Sequence, residues 1–340
     1  MDSTRRIRRR DRTAALAGWA LAALLCAAPL GATDFASGAI GTTGSEFLNI
    51  DVDPRGIAMG GALTSVTADS YALYWNPAGL SQIPRVSAAG MHNEYLAGIR
   101  MQYFSYAQRI SEASVVGGAV RYMDAGAISN TDINGVEIGT FRPRNYVYEV
   151  GWGKSIAEMT DSERDISLGV SGRLIHSDLV ARANGWAGDA GIQAHYTESY
   201  IPHSFGLVIQ NVGQGQQFDK VRDNLPLRIK VGSSVSPKPF LLLSLDGIVP
   251  LSNQPYAALG VELSMEAATN AKAYLRGGFN TLTMFNGPEG LRGLSVGVGL
   301  KLTDFRFDYA FLPYGFLGNT HRFGVSWELP AKRSRRFRRR

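Results

Sequence analysis

A single cysteine, Cys26, is all that the 340 residues contain. It lies within the first 32 residues, so a chain shortened after Ala32 has none, and disulfides and thiolate metal sites are excluded from it. Charged residues make up only 19% of the sequence. Beyond residue 32 no stretch offers the roughly 20 consecutive apolar residues of a membrane-spanning helix. The five histidines, His92, His176, His195, His203 and His321, lack metal-ligand spacing. No Gly-x-Ser-x-Gly elbow occurs, and neither Gly-Val-Gly at 297–299 nor Gly-Gln-Gly at 213–215 opens a helix, as a dinucleotide loop must. The sequence thus points away from an enzyme and from any cofactor or metal. A Ser/His or Asp/His group gathered from distant strands is the one catalytic arrangement it leaves open.

Basic charge is present but confined to the ends. Of 35 basic and 29 acidic residues, the first 32 positions hold 6 arginines and 2 aspartates, and residues 330–340 hold 7 Lys/Arg and no acid. The body between them carries 22 basic and 27 acidic residues, which argues against a nucleic-acid-binding surface. At the start, Arg5, Arg6, Arg8, Arg9, Arg10 and Arg12 form a cationic region, Thr13 to Leu30 an apolar one, and Pro29, Gly31 and Ala32 a break with small residues. That is the layout of an export signal, residues 1–32, cleaved after Ala32. The alternative is an uncleaved anchor helix, because the apolar run is long for a signal. Bulky Leu25 before Cys26 speaks against a lipoprotein.

Residues 33–85 are rich in Gly, Ala, Ser and Thr and show no long alternation. Asp69 and Ser70 are placed to cap a short helix through Trp75, which Asn76-Pro77 would end. This reads as a compact segment that needs another surface to pack on. From Val86 the pattern changes to period two. Leu294, Val296, Val298 and Leu300 alternate with Ser295, Gly297, Gly299 and Lys301, and similar runs cover 305–311 and 321–329. Alternate residues of a strand point to opposite faces, so each run has one apolar and one polar or small face.

Fourteen such segments can be counted, near 86–94, 100–109, 113–122, 145–155, 165–176, 186–196 and 204–211, then 227–236, 241–249, 256–264, 271–278, 294–301, 305–311 and 321–329. An even number of strands of about 9–11 residues is what a single-chain membrane barrel requires. Connections at 123–144, 212–226 and 279–293 are long, whereas those at 111–112, 237–239 and 303–304 are short. Such parity separates outer loops from periplasmic turns. The polar faces carry small residues and isolated charges of both signs, including Lys154, Arg173, Asp189, Arg228, Lys230, Glu262, Lys272, Arg276, Arg306 and Asp308. These suit a crowded polar lumen, in which a small polar residue at Gly297 should be tolerated. Tyr95, Tyr146, Tyr196, Tyr256, Tyr314 and Trp327 near strand ends fit interfacial girdles as well as plain strand propensity. The expected fold is therefore all-β, an antiparallel transmembrane barrel spanning 86–329 with a basic tail at 330–340. A soluble sandwich is the alternative.

Three blocks, Gly44-Ser45-Glu46-Phe47-Leu48-Asn49-Ile50, Arg55-Gly56-Ile57-Ala58-Met59-Gly60-Gly61-Ala62 and Tyr74-Trp75-Asn76-Pro77-Ala78-Gly79-Leu80, resemble the N-terminal signature of the PorV/PorQ family, relatives of the FadL-type transporters of hydrophobic compounds. Leu317-Gly318-Asn319-Thr320-His321-Arg322 is similar to that family's C-terminal end. The resemblance implies a fourteen-stranded outer-membrane barrel with residues 33–85 folded into the lumen as a hatch. Arg55, Met59, Gly60, Gly61, Asn76, Pro77 and Gly79 are then the candidates for positioning hatch or ligand, although turn chemistry alone accounts for Gly, Pro and Asn at such places. The implied partners are outer-membrane lipids, the barrel-insertion machinery, and either a hydrophobic small molecule or the proteins of the type IX secretion system, whose cargo such members hold by its C-terminal domain. Two departures stand out: Asp53-Pro54 where the family has small residues, and a tail after the last strand.

Overall fold

The computed structural model describes residues 40–156, 165–282 and 293–330. The expected signal at 1–32, with Cys26, and the tail from Ala331 lie outside them. Alternation does what the sequence implies, and the chain from Val86 is almost entirely strand. β1 (Val86–Glu94), β2 (Arg100–Arg109) and β3 (Ser114–Asp124) are followed by a small hairpin, β4 (Ile128–Thr131) and β5 (Glu137–Phe141). Then come β6 (Arg144–Ser155), β7 (Asp165–Asp178), β8 (Arg182–Tyr196), β9 (His203–Gln214), β10 (Arg228–Lys238) and β11 (Leu241–Pro250). β12 (Tyr256–Ala268), β13 (Ala271–Asn280), β14 (Leu294–Leu302), β15 (Phe305–Pro313) and β16 (Asn319–Leu329) complete the series.

Without β4 and β5, which pair only with each other, the strands close into one antiparallel barrel of fourteen, each bonded to its neighbour in sequence and β1 to β16. The closing seam is in perfect register from Val86–Leu329 to Glu94–His321. Closure leaves no unpaired edge, which a bilayer would penalise. The short turns 110–113, 239–240, 269–270 and 303–304 share one end with Val86 and Leu329, and the loop bearing β4–β5 and the loop 215–227 share the other. By loop length the first end is periplasmic and the second external.

Outward positions are large and apolar: Phe104, Val120, Val150, Leu174, Val298 and Phe323 are all more than 40% exposed, as a lipid-facing wall requires. Inward positions hold charge. Arg173, Asp189, Arg228, Lys230, Glu262, Arg276, Arg306 and Asp308 are buried, as their place on the polar faces suggests. Lys272 is instead exposed and pairs with Glu266 at 3.6 Å, and Lys154 also departs from the expectation. Its neighbour Gly153 abuts Leu80 inside, so Lys154 points outward, near the periplasmic rim. The hairpin β4–β5 escaped the sequence reading because both its faces are exposed and alternation has nothing to record.

Candidate ligand site in the barrel lumen

The segment before β1 lies against inward-facing positions around the barrel. It consists of a 3-10 turn (Glu46–Asn49), helix α1 (Pro54–Ala58), helix α2 (Ala72–Trp75) and a second 3-10 stretch (Pro77–Gln82). Glycines of the wall receive it. Ala58 sits on Gly297 of β14, Gly60 on Gly278 of β13, Thr64 on Gly206 of β9, Asn76 on Gly191 of β8 and Pro77 on Gly169 of β7. A Cβ at any of these would overlap the segment. The expectation of tolerance at Gly297 is thus corrected: the space it faces is filled by Ala58.

Local chemistry explains the segment's shape. Asp53 caps α1, accepting the N–H groups of Arg55 and Gly56 at 2.9 and 3.1 Å and the Trp75 indole N–H at 3.2 Å. Pro54 then occupies the first helical turn, where no N–H is needed. The Asp53-Pro54 departure from the family pattern is therefore a helix start. Burial and the neighbouring Asp69 carboxylate push the Asp53 carboxyl up to about 7, while the Arg306 and Arg55 guanidiniums work against that shift. At α2 the Asp69 carboxylate accepts the Tyr71 N–H, and extended Asn76 ends the helix as expected.

Arg55 donates from Nε and Nη2 to both oxygens of Glu262, at 2.8 and 2.9 Å. Burial alone would lower its pKa, but the Glu262 pair outweighs it and holds the guanidinium above its ordinary value. Arg276 bonds both Glu262 and Asp308, and Arg306 bonds Asp308 and Asp69, at 2.6–2.8 Å. One chain of charge-assisted bonds thus anchors the segment at Arg55 and again at Asp69. Asn76 is fully buried, and its amide N–H₂ donates to Thr64 O and Ile192 O while its Oδ1 accepts from Ala78.

Two cavities border the segment among the described residues. The outer one, about 430 Å³, is bounded by Asp51, Gly60, Gly61 and Trp75 of the segment and by wall residues that include Arg228, Lys230, Ile248, Tyr256, Leu282 and Leu312. The inner one, about 280 Å³, lies at the periplasmic end between Arg55, Val66, His195, His203, Ser204 and Leu242. The Arg228 guanidinium donates to the Tyr74 hydroxyl at 3.1 Å, and Tyr74 donates to Asp51 at 2.7 Å. Lys230 is buried with its ammonium 4.8 Å from the Trp75 ring centre, and among the described residues no carboxylate lies within 4 Å of it. The outer cavity is therefore lined by apolar side chains and, in comparable measure, by polar ones that include Glu46, Asp51, Arg228 and Lys230.

Of the seven residues expected to position hatch or ligand, Gly60 and Gly61 border the outer cavity, both with positive φ (69° and 91°). Arg55 borders the inner one. Met59, Asn76, Pro77 and Gly79 are buried in the packing, with Gly79 small because Thr67 O lies where a Cβ would be. Asp51 and Trp75 were not among the candidates, and Tyr256, expected at a girdle, lines the cavity instead. Trp75 adjoins the Asn76-Pro77 block, but nothing in sequence told its ring to face a cavity.

A closed fourteen-stranded antiparallel barrel with an apolar outer wall and a charged, occupied lumen is an outer-membrane β-barrel. Residues 35–236 match the family described as "Type IX secretion system protein PorV", and the chain belongs to that family. No curated protein sequence matches. Among solved structures it is similar to the toluene transporter TbuX of Ralstonia pickettii, with a TM-score of 0.54 at 12% identity over 83% of this chain and 99% of that one. A FadL homologue of Pseudomonas aeruginosa gives 0.54 at 8% identity over 82% and 98%, and the monoaromatic hydrocarbon channel CymD gives 0.53 at 10% over 83% and 98%. At such identities the likeness is one of fold.

Proposed function

We propose that the protein binds hydrophobic molecules in the outer cavity and transports them across the outer membrane, with residues 33–85 as the hatch that separates the two cavities. It acts without catalysis. The carrying observation is the outer cavity itself, near the external end, where Ile57, Ile248, Leu282 and Leu312 line one space together with Asp51, Arg228 and Lys230. The names of the fold relatives, toluene transporters and a hydrocarbon channel, support the same ligand class. Leu312→Trp should fill that space. Calorimetric titration of the folded barrel with toluene should give saturable binding, weakened about tenfold or more in the variant, as expected when about 1.4 kcal/mol or more is lost to overpacking. Non-saturable binding by both proteins would remove the reading.

The family match is also consistent with a second role, as an outer-membrane component of the type IX secretion system, and the resemblance implies that such a member holds cargo by its C-terminal domain. Cells lacking the protein that still take up toluene normally but fail to deliver secreted proteins to their surface would establish it. Either role needs export. N-terminal sequencing of the membrane-extracted protein should begin at Thr33, and a chain that still begins at Met1 would show that the signal is retained.

A further inference from the structure

The outer wall is not uniform. Across β2, β3, β6, β7 and β8 the register sorts outward residues into successive rows. The row nearest the external rim is ionic: Arg100, Asp124, Arg144, Asp178 and Arg182. Two residues further in along each strand it is polar: Gln102, Tyr122, Tyr146, His176 and Asn184. The next is large and apolar, with Phe104, Val120, Tyr148, Leu174 and Trp186. Beneath it the wall drops away, because Gly118 and Gly172 flank Val150 in one row. A Cβ on Gly172 would meet nothing within 4 Å, and one on Gly118 only the Glu149 carbonyl at 3.3 Å. The result is an apolar groove of about 640 Å³ on the outside of the barrel, under the ledge formed by the Tyr148 and Trp186 rings.

Depth can be read from the same rows. Tyr146 marks the polar level and Lys154, eight residues along β6, the opposite one. With about 3.3 Å per residue and the usual tilt, the apolar band between them is about 20 Å, close to the height expected of such a barrel. The groove begins two rows below the external polar level, among the acyl chains of the outer leaflet. Directly above it, the ions are unevenly matched. Asp178 accepts from Arg182 at 3.1 Å, and Asp124 is held by Arg142 from the external loop. Arg144 stands between the two aspartates in register, yet among the described residues it forms no ion pair, and its Nε has no hydrogen-bond partner.

We propose that this face holds one anionic lipid of the outer leaflet, with an acyl chain in the groove floored by Gly118 and Gly172 and its headgroup anion at Arg144. The wall behind the groove is continuous, with unbroken pairing of β2, β3, β6 and β7, so the groove is a seat and not a passage. Glu149 and Arg173 adjoin it from behind but stay buried, pairing with each other inside the lumen. The occupant therefore meets only apolar surface along its chain. A hydrophobic groove in contact with lipid fills with lipid; the unpaired guanidinium at its upper end selects which one.

The test uses the full folded protein in mild detergent, with phosphatidylglycerol or phosphatidylcholine of equal chain length added and bound lipid counted by native mass spectrometry. The wild type should retain one phosphatidylglycerol, preferred about fivefold over phosphatidylcholine, the effect of one basic residue near an anionic headgroup. Gly172→Leu should abolish retention of both lipids while the barrel keeps its heat-modifiable mobility. Arg144→Gln should keep chain binding and lose the preference. Retention unchanged by Gly172→Leu, or a preference unchanged by Arg144→Gln, overturns the proposal. So does a change of oligomeric state in Gly172→Leu without loss of lipid, which would make the groove a contact between barrels.

Discussion

Gly169→Val should abolish most of the folded barrel, whereas Gly172→Val, three residues along the same strand, should leave its yield unchanged. Both positions are glycine in β7, with identical intrinsic strand propensity, and they differ only in face. At Gly169 a Cβ would overlap the Pro77 carbonyl carbon and the Ala78 nitrogen, which are backbone atoms fixed by the Asn76 side chain. Overpacking by a methylene or two usually costs about 1–3 kcal/mol, and more when the neighbour cannot give way. Here the neighbour is a proline-led turn with no flexible end to move. At Gly172 the added atoms enter open space. Heat-modifiable mobility on a gel reads both variants, and equal yields would mean that Pro77 does not rest on the wall as described.

Val298→Arg should cost about 2–4 kcal/mol, while Leu302→Arg on the same face of the same strand should cost about 0–1 kcal/mol. Val298 is 52% exposed at the middle of β14, where an arginine side chain must stay in hydrocarbon. Leu302 ends the strand beside the periplasmic turn, where the guanidinium reaches water. Urea titration of the barrel reconstituted in lipid vesicles should show the first midpoint well below the second. Coincident midpoints would place β14 at another depth or remove the bilayer from the argument.

The barrel was legible in the sequence because lipid leaves a simple record: along β14, every second residue is large and apolar and the ones between are small or charged. All fourteen wall strands fall where that record places them. Its other half was less readable. A glycine at an inward position means either spare room or a close neighbour, and Gly297 was taken for the first when Ala58 makes it the second. Pairings in the lumen were also hidden, since Arg55 meets Glu262 across 207 residues and Asp69 meets Arg306 across 237. Charges on the polar faces could be assigned to the interior one by one, but not matched. The outer cavity is assembled from such distant pieces, so Trp75 and Tyr256 carried no local sign of facing it. The Asp53-Pro54 pair was visible as an oddity; only the N–H groups of Arg55 and Gly56 show that it is a cap.

The seam between β1 and β16 has a consequence for the order of events during assembly. The buried segment is joined directly to β1, and β1 finds its second partner only when the last strand has been made. Gly60 needs Ser295, and Asp69 needs Arg306, so the segment's own bonds wait for the same late strands. Contacts between such distant positions form slowly, because long loops must be closed first. Once the seam has zipped, the segment already sits against wall glycines of β7, β8, β9, β13 and β14. An order in which the later strands wrap around the chain's own beginning forms these contacts as the wall is made, with the segment as the former on which it is wound. In that order, an insertion machine that closes this barrel accepts a nascent sheet already carrying its core, and a ligand crossing the finished molecule passes beside that core instead of waiting for it to leave.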